Sequence, residues 1–120
     1  MRIMLVDDHP GFRGIVKNLL QGPGMEFLEC GDGDSAVQEF ARFCPDLVLM
    51  DIAMKGTDGL AAAARIRGCA PHAEIVMLTQ YDDPELRLAA QQAGAAGYLL
   101  KDDLSQLQDL MRVRADQAPH

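Results

Sequence analysis

An α/β fold, with one parallel five-stranded sheet and helices on both faces, is predicted by three observations. Apolar β-type runs alternate with helical patterns five times along the chain. The third run, Leu47 to Met50, is apolar without alternation, as in a central strand covered on both faces. The intervening helical segments are about 10 residues long, enough for right-handed crossovers that return the chain to a parallel strand. With 120 residues the chain reads as one domain, 1–120, of ordinary size.

The first strand is Ile3 to Val6. Pro10 suits the first turn of a helix, and Phe12, Ile15, Val16, Leu19 and Leu20 follow the stripe of a core-facing side until Gly22-Pro23-Gly24 stops it. Met25 to Cys30 is a short second strand, and Glu26 and Glu29 mark it as an edge. Asp34 or Ser35 is expected to cap a second helix with Ala36, Val37, Phe40 and Phe43 on its apolar face, ended by Pro45. After the third strand, Lys55 to Gly59 reads as a loop feeding an alanine-rich helix from Leu60 to Arg67, closed by Gly68 and Pro71. Glu74 to Leu78 is the fourth strand. Asp83 before Pro84 starts a helix running to about Ala93, with Gly94 as C-cap. Gly97 to Leu100 is the fifth strand, and a last helix from Asp103 shows Leu104, Leu107, Leu110 and Met111 on one face. A frayed tail is expected from Ala115 to His120. Strand order does not follow from periodicity.

Composition narrows the function. Apolar residues make up 48% and charged residues 24%, the balance of a globular chain and not of a disordered one. No apolar stretch is long enough to cross a bilayer, so no membrane role is expected. Because MRIMLVDD enters a strand at once, no signal peptide is expected and the location reads as cytoplasmic. The net charge of −7 argues against direct nucleic-acid binding, and Arg112 with Arg114 is too small a basic cluster to reverse it. Cys30, Cys44 and Cys69 lack metal spacing and are expected to be small buried or half-buried thiols in a reducing compartment.

The chemistry gathers where the strands end. Runs finish on Asp7-Asp8, Asp51, Thr79 and Lys101, and parallel strands would deliver all five groups to the carboxyl edge of the sheet, where open α/β sheets bind ligands. Each taken singly has an ordinary reading: a solvated acidic turn, a loop acid, a strand-end threonine, a snorkelling lysine. Their coincidence at four successive strand ends is what makes a site. Crowded carboxylates call for a compensating cation, and Mg²⁺ is the expected one. Asp51 can act as a carboxylate nucleophile that accepts a phosphoryl group as an acyl phosphate. Met50, Met54 and Met77 flank the site as core filler.

The segments MLVDDHPGF, LVLMDIAMKGTDGL, IVMLTQYDD and GYLLKDD resemble the four signature segments of the receiver domain of two-component response regulators. The resemblance spans essentially the whole chain and lies nearest the branch with a helix-turn-helix output (LuxR/NarL-type). It implies a flavodoxin-like (βα)5 sheet of order 2-1-3-4-5. It also implies Asp51 as phospho-acceptor, with Mg²⁺ held by Asp7, Asp8, Asp51 and the backbone carbonyl of Ala53. Lys101 would contact a phosphate oxygen or pair with Asp51, Thr79 would move to the phosphoryl group, and Tyr98 would rotate inward behind it. The implied partner is a sensor histidine kinase, and the implied readout surface is the fourth helix, fifth strand and fifth helix. His9 reads as a loop or helix-start residue, because the phosphohistidine belongs to the kinase. A phosphoryl group adds roughly 1.5–2 negative charges and three acceptors, enough to reorganise nearby donors and loops.

Two departures stand at the rim. Lys55 occupies a position where the family usually has proline, which puts a cation near the acidic pocket or a partner and should alter loop mobility or kinase docking. Gln80 is bulkier than usual and narrows access, while the small Ala53 admits water; the two effects on acyl-phosphate lifetime oppose each other. Beyond assisting its own phosphorylation and dephosphorylation, the chain is not expected to be an enzyme. A haloacid-dehalogenase-type phosphatase would want an acid at Ala53, a cobalamin loop would want glycine at Phe12, and a flavin loop would not be as acidic as Asp-Asp-His-Pro. The resembling branch continues into a DNA-binding output domain that controls transcription, so a receiver fragment is favoured over a stand-alone receiver acting through protein contacts. Homodimerisation on phosphorylation fits the same class.

Overall fold

The sheet takes the order expected of it. A computed structural model describes residues 1–117. Strands β1 (Arg2–Val6), β2 (Glu26–Cys30), β3 (Leu47–Met50), β4 (Ile75–Thr79) and β5 (Gly97–Leu100) pair in the order β2-β1-β3-β4-β5, every neighbour parallel. The edge reading of the second strand holds, since β2 has a neighbour only in β1. Connections are the helices α1 (Pro10–Leu20), α2 (Gly33–Phe43), α3 (Gly59–Cys69) and α4 (Pro84–Gln92), with α5 (Ser105–Gln117) last.

The pleat explains why the central strands are apolar throughout. Ile3, Leu5, Leu47, Leu49, Val76 and Leu78 face one side of the sheet, where Val16 of α1 and Leu107 of α5 cover them. Met4, Val6, Val48, Met50, Ile75 and Met77 face the other, against Ala36 of α2, Ala62, Ala63 and Ile66 of α3, and Ala90 of α4. Two cores thus share one sheet, and each of these residues belongs to one or the other. Met50 and Met77 are wholly enclosed and Met54 packs at the margin, as core filler should.

Several local expectations are corrected. The cap of α2 is Asp32, not Asp34 or Ser35: its extended backbone turns a carboxylate oxygen onto the Ser35 N–H at 2.7 Å. Helix α3 runs through Gly68 to Cys69, held by an Ala70 N–H bond to the Ile66 carbonyl at 2.7 Å. Ile15 is 56% exposed, because the buried stripe of α1 centres on Val16 and Ile15 falls about 100° away. Cys30 is buried, but Cys44 and Cys69 sit at helix ends and are exposed. The fourth helix starts as expected, on Asp83 with Pro84 in its first turn. The tail reading fails in part: α5 continues to Gln117, while 118–120 lie outside the described residues.

A feature absent from the sequence reading follows β3. Ala53–Met54 pairs antiparallel with Thr57–Asp58, making a two-residue ribbon turned at Lys55-Gly56. Gly56 has φ 71°, the left-handed conformation a tight turn needs and glycine tolerates.

Candidate functional site

The ladders of β1, β3 and β5 continue one residue past the strand, and each time that residue is charged. The Asp7 N–H bonds the Cys30 carbonyl at 3.0 Å, the Asp51 N–H bonds the Val6 carbonyl at 2.9 Å, and the Lys101 N–H bonds the Thr79 carbonyl at 2.8 Å. Val6 lies opposite Met50 in the register, so Asp7 and Asp51 emerge side by side on adjacent strands. All of this is sheet geometry, and it fixes the carboxylates before any side chain chooses a partner.

Asp7 and Asp51 are buried, and Thr79 is wholly so. Ligand atoms of Asp7, Asp8, His9 and Asp51 all lie within 4.8 Å of one another. Lys101 answers this negative charge: its Nζ is 2.6 Å from Asp7 Oδ2 and 3.3 Å from Asp51 Oδ2. The expected pairing with Asp51 is therefore present, and the shorter contact goes to Asp7. The ammonium also sits 4.5 Å from the centroid of the Phe12 ring. Burial pushes the Asp51 carboxyl above the ordinary aspartate value; Lys101 works against that shift and the Asp7 charge adds to it.

Asp8 is handled differently. Its Oδ2 accepts the backbone N–H of Lys55 at 2.9 Å, and this bond is the main reason its carboxyl titrates below the ordinary range. Its Oδ1 is enclosed without a hydrogen bond. His9 Nδ1 is 2.9 Å away, but not along a hydrogen-bonding direction. An enclosed carboxylate oxygen lacking a donor, beside two more carboxylates, fits a hard divalent cation such as Mg²⁺. His9 itself is the N-cap of α1, the helix-start position expected of it, and its N–H bonds Asp7 Oδ1 at 2.9 Å.

Thr79 and Tyr98 meet through the backbone of one residue, Tyr81. The Tyr81 N–H donates to Thr79 Oγ1 at 3.3 Å, and the Tyr81 carbonyl accepts the Tyr98 hydroxyl. The guanidinium of Arg87 lies over the Tyr98 ring, 4.6 Å from its centroid, and Asp82 holds it there at 3.1 Å. Tyr98 is half-buried, and loss of water raises its hydroxyl above the ordinary tyrosine value.

The sequence reading overlooked several contributors. Arg13 donates to the Asp7 carbonyl while its Nε bonds Glu29 at 3.0 Å, tying α1 to the strand end. Gly59 backs Asp51: a Cβ there would stand 1.9 Å from the Asp51 carbonyl oxygen, so only glycine fits. The DG pair before the alanine-rich run was a signal for that tight passage. Lys55 reaches Asp8 through its peptide, while its side chain is exposed. Gln80 is exposed and lines a groove with Phe12, Ile15 and Lys101 beside the site. Ala53, whose carbonyl the resemblance offers as a ligand, lies in the ribbon that follows Asp51.

Residues 3–112 match the response regulator receiver domain family. The nitrate/nitrite response regulator protein NarP of Escherichia coli is 43% identical over 103 residues, 84% of this chain and 48% of that protein. A LuxR-family two-component response regulator from Aurantimonas sp. SI85-9A1 superposes with a TM-score of 0.81 at 33% identity, over 92% of this chain and 83% of that one. The response regulator TrrA from Thermotoga maritima, solved in complex with Mg²⁺-BeF, does so at 0.82 and 34% identity, over 92% and 96%. The chain spans about half the length of the first curated relatives it matches, 48% for both NarP and a probable regulatory protein NarL of Mycobacterium tuberculosis. Among the described residues no helix is long and apolar enough to cross a membrane.

Proposed function

The chain belongs to the response regulator receiver domain family, and on that basis we propose that it accepts a phosphoryl group on Asp51 from a sensor histidine kinase and changes its surface in response. The observation that carries this reading is the convergence of Asp7, Asp8 and Asp51, with Lys101 bridging two of them. In the transfer an Asp51 carboxylate oxygen forms a bond to phosphorus as the P–N bond of the kinase phosphohistidine breaks. The electron pair stays with the departing imidazole, which then takes up a proton.

Residues of the site divide the labour. Asp7 and Asp8, with Asp51 and the Ala53 carbonyl, would hold Mg²⁺; TrrA in complex with Mg²⁺-BeF supports that assignment. When bound, the cation neutralises charge on the transferring oxygens. Lys101 works against the upward push of burial on the Asp51 carboxyl, and its ammonium is available to a phosphoryl oxygen. Thr79 would turn its hydroxyl to the phosphoryl group, giving up the Tyr81 N–H, and Tyr98 would follow because its hydroxyl is bonded to the carbonyl of the same residue. The surface of α4, β5 and α5 lies downstream of that pair, and Leu88 on α4 is 55% exposed there. A ligand-biased equilibrium between two packings accounts for the switch.

Relatives about twice as long, regulatory by name, support a native protein that continues into a transcriptional output domain. A cytoplasmic location and homodimerisation on phosphorylation belong to the same reading. Incubation with acetyl phosphate and Mg²⁺ tests it. A stable mass gain of one phosphoryl group, absent in Asp51→Asn, is expected, with faster sedimentation of the phosphorylated sample. Rapid turnover of unrelated phosphate esters would overturn the receiver reading in favour of a phosphatase.

A further inference from the structure

The ribbon after β3 hydrogen-bonds the acidic cluster through the Lys55 N–H on Asp8 Oδ2, at 2.9 Å. That bond spans 47 positions in the chain and joins the exits of two different strands. It leaves the other oxygen, Oδ1, enclosed and without a hydrogen bond, 2.9 Å from His9 Nδ1 and in the cluster formed with Asp7 and Asp51. A carboxylate is free to rotate unless one of its oxygens is held, and hydrogen bonds that hold metal-binding carboxylates contribute strongly to metal affinity.

We infer that the backbone N–H of Lys55 is a positioning group: it fixes the Asp8 carboxylate so that Oδ1 faces the cation locus. The inference rests on the reading of Asp7, Asp8 and Asp51 as a Mg²⁺ site. The exposed Lys55 ammonium has no part in it. Cation binding and the ribbon are thereby linked, because the turn that places the N–H also carries Ala53 two residues earlier. Anything that pulls the turn away, including a partner that grips the ribbon, releases Asp8.

The geometry supplies a clean probe. The positive φ of the turn is borne by Gly56, and among the described non-glycine residues only Cys44 has a positive φ, so Lys55 lies on the side of φ that proline adopts. Met54 before it is in a strand, the conformation favoured ahead of proline. Lys55→Pro therefore keeps the turn and removes the donor, whereas Lys55→Ala keeps the donor and removes the ammonium.

Calorimetric titration of metal-free protein with MgCl2 reads the difference. Lys55→Pro is expected to bind Mg²⁺ about tenfold more weakly than wild type, with Lys55→Ala at the wild-type constant. In EDTA, Lys55→Pro should unfold somewhat below the wild-type temperature, since the lost N–H bond outweighs what proline gains by restricting the unfolded chain; saturating Mg²⁺ should widen that gap, and an equal gap with and without Mg²⁺ overturns the inference. Equal affinity for wild type and Lys55→Pro overturns the inference, as does an equal loss in Lys55→Ala. A second reading does not depend on the proline variant folding: amide exchange at Lys55 should accelerate in Asp8→Ala, and an unchanged rate overturns the inference. Absence of saturable Mg²⁺ binding in the wild type overturns the underlying cation site as well, and wild type alone reveals it.

Discussion

Val6 and Met50 are 1% and 0% exposed, and one residue further on Asp7 and Asp51 are enclosed almost as well, at 5% and 6%. Burial of the first pair stabilises the fold by removing apolar surface from water. Burial of the second pair opposes folding, because two carboxylates lose water and face each other with one ammonium between them. The strand bodies and the strand ends share one ladder of hydrogen bonds, so the bodies supply the rigidity that keeps the ends in an unfavourable arrangement. Stability and chemistry are separated here by a single step along the backbone.

The largest effect that tests this division lies in the core packed against the strand bodies. Leu107 is wholly buried under the sheet face covered by α1 and α5. Leu107→Ala should cost about 2–5 kcal/mol in urea unfolding, while phosphorylation per folded molecule is unchanged. Loss of phosphorylation beyond the unfolded fraction would show that body and end are not separable.

A smaller effect of opposite sign is expected at the end. Asp51 titrates above the ordinary aspartate value in the folded state, so its stabilising contribution is complete below the unfolded value and is lost as pH rises through the folded one. Asp51→Asn, with metal chelated, should therefore raise stability at neutral pH by about 1 kcal/mol, and the gain should vanish in acid. Lys101→Met should push the Asp51 titration, followed by carboxyl carbon resonances, further upward. A titration that moved down would contradict the pairing.

The smallest effect concerns reactivity. Burial pushes the Cys30 thiol up to about 11, and the Glu39 and Asp32 charges add to the shift, whereas Cys44 and Cys69 are exposed. Two thiols should react with a disulfide reagent in the native protein at neutral pH, and the third only on unfolding. Fast labelling of Cys30 would mean that the sheet edge opens more readily than the core beneath it.

Legibility followed the physics of each feature. Continuous apolar runs and stripes of period 3.6 are written in side chains, so the five strands of the parallel sheet and the five helices could be read, with errors of a few residues at the ends. The α2 cap was misplaced because Asp32, Asp34 and Ser35 are all competent caps and only backbone conformation selects among them. Cys44 and Cys69 look alike beside apolar runs, but exposure depends on which side of a helix end they occupy. Asp7, Asp8, Asp51, Thr79 and Lys101 were legible as a set because each follows an apolar run.

By itself the sequence determined the α/β class, the acids and cation at the strand ends, and the identities of the groups able to do the chemistry. Tertiary structure decided which of them touch: that Asp51 stands beside Asp7, that Lys101 lies nearer Asp7 than Asp51, and that the backbone of one residue, Tyr81, serves both Thr79 and Tyr98. It alone brought Lys55 to Asp8. The reason is that side chains differ from residue to residue, whereas every residue but proline carries the same backbone N–H. Where that donor points is set by the fold of distant segments and by no letter in the chain.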